Sequence, residues 1–261
     1  MMKRISIVGL ALCMILLGSM ATPSIADTLW YNGDWYVLTW PDYNNQANHY
    51  ISNQISPTLT AITYDDFAVP AGGWTINTLF ANIVNPYSDA FTITQVTYEI
   101  RQGMAGSHDY PIPGDGGTVI FSGSSADFTV TPTGRYSGDD YFQTHPEQTV
   151  AVTGLNLFLP EGTYWLSVTP EVPEGNGDLS STVTIGDNAT GFLLGNGLYS
   201  YYGFDPPLLY ADGDYILGYP IDYSLGIEGT VGGQVPIPPA ILLLASALFA
   251  LGAHGFLVRE R

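Results

Sequence analysis

Between residues 27 and 234 the chain consists of short runs in which apolar and polar side chains alternate, and this pattern limits the fold more than any other feature. The clearest runs are 164–168 and 221–227. Alternation with a period of two is typical of strands that bury one face, and clusters of Gly, Pro, Asn and Asp separate the runs. We find no helical periodicity of useful length in this region. The pattern therefore predicts one all-β domain, an antiparallel β-sandwich or jelly roll.

Residues 1–26 have the three parts of a secretory signal peptide. Two basic residues near the N-terminus precede an apolar run from 5 to 17, and a small-x-small cleavage site ends at Ala26. We predict that signal peptidase cuts between Ala26 and Asp27. The alternative is an uncleaved N-terminal anchor, for which the apolar run is short. The one cysteine, Cys13, lies in this segment, so the mature domain is predicted to have neither a disulfide nor a thiolate ligand.

The C-terminal segment 235–261 combines a proline-bearing tag, an apolar stretch and a basic end. The apolar stretch 240–258 would be about 28 Å long as a helix, which is enough to cross a membrane. Arg259 and Arg261 would remain on the cytoplasmic side. An ordinary membrane anchor that is never cut is the alternative. The tag itself is Val235, Pro236, Ile237, Pro238, Pro239 and Ala240.

This order of tag, helix and basic end resembles the PEP-CTERM sorting signal in its Val-Pro-Leu-Pro-Ala form. Here Ile237 replaces the usual Leu, and Glu260 interrupts the basic end. The resemblance implies recognition by an exosortase-type membrane protease after a transient inner-membrane tether. It also implies delivery to the cell surface or extracellular matrix of a Gram-negative, often polysaccharide-producing bacterium.

Two segments of the body also resemble a β-sandwich domain that recurs in PEP-CTERM proteins. Residues 64–76 and 157–168 are similar to strands that meet at its Pro-x-Gly corner, and 222–229 is similar to its last strand. The resemblance supports the predicted fold. That family has no shared activity that could be transferred to this chain.

The mature domain is predicted to be strongly acidic. The whole chain has 24 acidic and 6 basic residues and a formal net charge of -18. Four of the basic residues lie in the two end segments, which leaves 2 basic and 23 acidic residues in the body and a charge of -21. Such a surface repels phosphate groups, so a DNA- or RNA-binding role is excluded.

Aromatic residues are concentrated in two stretches, 30–43 and 199–204. Aromatic rings with polar tips can stack on sugar rings when they are exposed. Packing on the face of a strand is the alternative, since Tyr and Trp favour sheets. In the second stretch the candidate sugar-stacking residues are Tyr199, Tyr201, Tyr202 and Phe204.

Three acidic residues near the second aromatic stretch are candidate metal ligands. Asp205, Asp212 and Asp214 supply the carboxylate oxygens that Ca²⁺ prefers in flexible loops. The alternative is that they are solvated turn residues. Ca²⁺ is the only cofactor that the sequence suggests.

No catalytic residue is predicted. The histidines of the body have no zinc-type spacing, and carboxylate pairs such as Asp65 and Asp66 arise by chance in so acidic a chain. We therefore expect a non-enzymatic protein, and the resemblance to PEP-CTERM proteins implies a structural or adhesive role at the cell surface or in an exopolysaccharide matrix. The alternatives are a carbohydrate-binding module, with or without calcium, and a secreted glycosidase with two catalytic carboxylates.

Overall fold

A computed structural model describes eight ranges of the chain, and two β-sheets dominate them. The predicted signal peptide, apart from Ala26, and the whole segment 235–261 lie outside these ranges. No helix within them is long and apolar enough to cross a membrane. The ranges are 26–34, 50–57, 59–85, 92–137, 145–173, 181–186, 196–217 and 221–232.

The first sheet has nine strands. They are β1 (Asp27–Tyr31), β2 (Tyr50–Ser52), β5 (Trp74–Val84), β8 (Phe128–Ser137), β9 (His145–Val152), β10 (Leu157–Leu159), β12 (Thr182–Gly186), β15 (Asp222–Tyr223) and β16 (Leu225–Val231).

The second sheet has seven strands. They are β3 (Gln54–Ile55), β4 (Thr60–Val69), β6 (Gln95–Gln102), β7 (Thr118–Ser125), β11 (Gly162–Glu171), β13 (Leu198–Tyr201) and β14 (Leu208–Asp212). A five-residue helix, α1 (Gly213–Leu217), follows β14 directly.

Strand β5 is the centre of the nine-stranded sheet. It pairs on one edge with β16 and β12, and on the other with β9 and β10. Strand β1 extends the sheet beyond β16, and β8 extends it beyond β9. All these pairings are antiparallel, so five neighbouring strands (β8, β9, β5, β16 and β1) present one continuous outer face.

In the seven-stranded sheet, β4 and β11 pair at the centre. Strands β6 and β7 continue the sheet on the β11 side, and β13 and β14 continue it on the β4 side. Strand β4 passes into β5 through the turn 70–73, where Gly72 and Gly73 have φ of 98° and 75°. These values favour glycine, and the turn carries the chain from one sheet to the other.

The two sheets share one hydrophobic core. Phe67 of β4 stacks on Trp74 of β5, with ring centroids 5.9 Å apart, and it contacts Trp30 of β1 at 5.4 Å. The alternating run 221–227 supplies Leu225 and Ile227, both fully buried. The all-β prediction is therefore confirmed, and the arrangement is sandwich-like.

Candidate functional site

A groove of about 510 Å³ lies on the outer face of the nine-stranded sheet, on the side away from the core. Its position follows from the alternation of β5. Leu79 and Ala81 point into the core, whereas Phe80 and Asn82 line the groove. The six threonines of the lining come from β1, β5, β8, β9 and the residue after β9; they are Thr28, Thr78, Thr129, Thr133, Thr149 and Thr153.

A buried ion pair fixes one side of the groove. The Glu147 carboxylate in β9 is fully buried and accepts hydrogen bonds from Arg135 Nε at 2.6 Å and from Thr133 Oγ1 at 2.8 Å. Its other oxygen accepts from Thr184 Oγ1 at 2.8 Å. Arg135 also reaches Asp34, with Nη1 to Oδ1 at 2.8 Å. Burial lowers the pKa of Arg135, but Glu147 and Asp34 outweigh burial and raise it, so the guanidinium remains charged.

A chain of hydrogen bonds crosses the groove from Thr149 to Asp34. Thr149 Oγ1 donates to Asn82 Oδ1 at 2.6 Å, and Asn82 Nδ2 donates to the Tyr31 hydroxyl at 2.7 Å. That hydroxyl donates in turn to Asp34 Oδ1 at 2.5 Å. Burial, followed by the hydrogen bond to Asp34, raises the pKa of Tyr31. The phenol therefore stays protonated, and the network stays intact over the physiological pH range.

The floor of the groove contains an aromatic ring. Phe80 contacts the Tyr31 ring, with centroids 5.4 Å apart. Phe80 also lies across the backbone of Gly226 in β16, its register partner. A Cβ at position 226 would lie 2.1 Å from the Phe80 Cζ atom, so only glycine leaves room for the ring.

A second cluster forms where residues 103–117, between β6 and β7, lie along β14. The N–H of Ser107 donates to the Tyr210 carbonyl at 3.1 Å, and the N–H of Asp212 donates to the Ser107 carbonyl at 3.2 Å. Gly106 faces the Asp212 side chain so closely that a Cβ there would lie 1.8 Å from Oδ1. This pairing brings His108 to the end of β14.

His108 lies between two of the predicted metal ligands. Its Nε2 is 3.0 Å from Asp212 Oδ2, and its Nδ1 is 3.3 Å from Asp214 Oδ1. The pKa of the Asp212 carboxyl is raised overall, because burial and the nearby Asp214 raise it by more than His108 lowers it. One ligand atom from each residue lies within 4.8 Å of the others, so the group could hold a cation. Asp205 is exposed and lies outside this group, and a histidine nitrogen is not a usual Ca²⁺ ligand.

The predicted sugar-stacking residues divide between the core and the surface. Tyr199 is buried in the core and Tyr201 is half-buried, whereas Tyr202 and Phe204 are exposed. The Phe204 ring contacts Tyr201 at 4.8 Å and Tyr110 at 6.0 Å between centroids. We call Tyr110, Tyr201 and Phe204 the aromatic patch. Tyr110 was missed by the sequence analysis, because it lies on the 103–117 segment, far from the others along the chain.

Several predicted features lie outside the described residues. These are the sorting motif and terminal arginines within 235–261, and most of the early aromatic stretch, 35–43. Within the described part of that stretch, the half-buried Trp30 packs against the core and Tyr31 lines the groove. Searches of family models, curated proteins and solved structures gave no match to the chain.

Proposed function

We propose that the protein is exported and acts at the cell surface or in the extracellular matrix as a structural or adhesive component. In this proposal, signal peptidase removes residues 1–26, and an exosortase-type protease recognises the tag at 235–240. The segment 240–258 is the transient inner-membrane tether. The body of the protein then contacts extracellular polysaccharide and needs no catalytic residue.

The aromatic patch is the observation that carries the adhesive role. Phe204 is 54% exposed and Tyr110 is 41% exposed, yet both are held by ring contacts rather than left free in solvent. The Tyr110 hydroxyl also donates to the Pro206 carbonyl at 2.9 Å, which ties the two loops together. Exposed rings that are already ordered lose little entropy when they stack on a sugar.

The acidic residues of the groove favour binding over glycoside hydrolysis. A glycosidase needs two carboxyl groups free to flank the scissile bond. Glu147 is instead fully buried beneath Arg135, and Asp34 is engaged by Arg135 and Tyr31. Glu228 on β16 also lines the groove, but a single further carboxylate does not make the pair that a glycosidase needs.

Co-sedimentation with the purified exopolysaccharide of the producing bacterium tests the adhesive role. The full-length chain, kept in mild detergent, should pellet with the polymer, and Phe204→Ala should reduce the bound fraction several-fold. Phe158→Ala is the matched control, because Phe158 is 46% exposed on β10 and lies in the other sheet. Equal retention of the wild type and both variants, or no retention of the wild type, would contradict the proposal.

A carbohydrate-binding module with a specific ligand is the second candidate. The groove favours it, because a concave site with many polar side chains can select one ligand, whereas an exposed aromatic patch tolerates many. With either candidate function, the His108–Asp212–Asp214 group could hold a cation that assists carbohydrate binding.

A further inference from the structure

We infer that the groove on the outer face of the nine-stranded sheet binds an uncharged oligosaccharide segment. The inference rests on the proposed contact with polysaccharide and adds a second, selective site to it. The groove and the aromatic patch belong to different sheets, so each can be tested without the other.

The lining has the hydrogen-bonding groups that a sugar requires. Six threonines, Tyr31 and Asn82 line one concave space. The side chains of Thr133, Thr149, Tyr31 and Asn82 already hydrogen-bond within the protein. The exposed side chains of Thr28, Thr129 and Thr153 supply the accessible hydroxyls. Each hydroxyl can both donate and accept, as can each hydroxyl of a sugar. A volume of about 510 Å³ lies within the range of small-molecule sites. A polyhydroxylated ligand matches this surface better than an apolar one does.

The charges of the groove disfavour an anionic ligand. Among the described residues of the lining, Arg135 is the one basic residue, and its Nε, Nη1 and Nη2 atoms already lie 2.6–2.8 Å from Glu147 and Asp34. An acidic sugar would compete with Asp34 for the guanidinium. It would also meet Glu228 and the surplus of negative charge on the domain. Repulsion by this field is unfavourable for a uronate or a sulfated sugar.

The groove also offers an apolar contact to the faces of a sugar ring. The half-buried Tyr31 ring and the 9% of Phe80 that remains exposed form its floor, where the Phe80 ring packs on Gly226. Sugars present C–H groups on their faces and hydroxyls at their edges. An aromatic floor surrounded by threonines matches both parts of such a ring.

The site is ordered before a ligand arrives. Glu147 holds Arg135, Arg135 holds Asp34, and Asp34 accepts from Tyr31. Because these bonds link β9, β8 and the end of β1, the walls of the groove are fixed relative to one another. A preformed site lowers the entropy that binding costs.

The test uses the exopolysaccharide of the producing bacterium, partly hydrolysed and separated by anion exchange into neutral and acidic oligosaccharides. Each fraction is titrated into the full-length chain in mild detergent by calorimetry, with saturation-transfer NMR for weak binding. We expect saturable binding of the neutral fraction alone. Ala151→Trp should weaken it at least tenfold, because Ala151 lies between Phe80 and Thr129 on the groove floor. Ala126→Trp is the matched control at an exposed turn.

A second variant keeps the test valid if the tryptophan disturbs the fold. Thr129→Val removes one exposed hydroxyl with little change of shape and should weaken binding about two- to tenfold. Thr118→Val, exposed on the other sheet, should leave it unchanged. Preference for acidic oligosaccharides, no saturable binding, or equal binding by all four variants would overturn the inference. If Ala151→Trp leaves oligosaccharide binding intact while Phe204→Ala still releases the polymer, the groove inference fails and the adhesive proposal stands.

Discussion

The Asp65 carboxylate in β4 accepts a hydrogen bond from the backbone N–H of Tyr223 in β15, and so connects the two sheets across the core. Its other oxygen accepts from the N–H of Asp66 at 2.9 Å. Asp65 is fully buried, and Asp222, its neighbour across the core, is 1% exposed. A carboxylate in this position costs free energy when it is charged, and the protonation state of Asp65 therefore affects the stability of the fold.

The first prediction concerns pH. Burial, followed by repulsion from Asp222, raises the pKa of Asp65 well above its ordinary value of 3.8. The folded state therefore holds this proton more tightly than the unfolded state, and the resulting stability is full below pH 3.8 and is lost as pH rises through the raised pKa. Asp65→Asn should gain stability relative to the wild type as pH increases, by about 1.4 kcal/mol for each unit by which the pKa is raised.

Urea unfolding of the wild type and Asp65→Asn between pH 4 and pH 8 measures this difference. Asp66→Asn is the control for the loss of one negative charge, because Asp66 lies on the outer side of the same strand. A stability difference between the wild type and Asp65→Asn that does not change with pH would contradict the prediction.

The second prediction concerns the ion pair beneath the groove. Arg135→Gln removes the cation that faces Glu147, which is fully buried, and the cost of such an unpaired charge is about 3–5 kcal/mol. Arg101→Gln should cost less, because its partner Glu99 is partly exposed. Urea denaturation of the two variants compares them. Adding Glu147→Gln to Arg135→Gln should recover part of the loss, and equal losses for Arg135→Gln and Arg101→Gln would count against this reading.

The third prediction concerns the groove floor. Gly226→Ala places a methyl group where the Phe80 ring lies, so the ring must move, and overpacking of this kind costs about 1–3 kcal/mol. In a Phe80→Ala background the same glycine substitution should cost clearly less, since the colliding ring is gone. A double-mutant cycle by thermal denaturation measures this coupling. Additive effects of the two substitutions would show that the ring and Gly226 do not interact.

The fourth prediction concerns salt. With a charge of -21 on the body, mutual repulsion destabilises the folded state at low ionic strength, and screening relieves it. The melting temperature should rise by several degrees between 10 mM and 150 mM NaCl. CaCl₂ at matched ionic strength tests the predicted calcium site: a further rise that Asp214→Asn removes would support it. A rise no greater than that with NaCl would exclude it.

The strands could be predicted from the sequence because alternation is a local property. The run 221–227 alternates without error, and its odd-numbered residues are buried in the core. Alternation does not extend through the stretch 199–204, because β13 ends at Tyr201 and Tyr202 lies in the turn that follows. Residue type alone therefore placed the buried Tyr199 among the predicted sugar-stacking residues.

The sites could not be predicted because they depend on which strands become neighbours. Tyr31 and Phe80 meet only because β16, from the far end of the domain, pairs with both β1 and β5. His108 reaches Asp212 only because the 103–117 segment lies along β14. Such pairings between distant segments are set by the packing of the whole domain, and no spacing in a single sequence reveals them.

The most direct test of the proposed export and sorting is the analysis of the protein made by the producing bacterium. Cells are separated into cytoplasm, membranes, surface and matrix, and the termini of the protein in each fraction are determined by mass spectrometry. We predict a form in the surface or matrix fraction that begins at Asp27 and lacks the segment after the 235–240 tag. A protein found only in the cytoplasm, or one in every fraction with Met1 and Arg261 intact, would contradict the account.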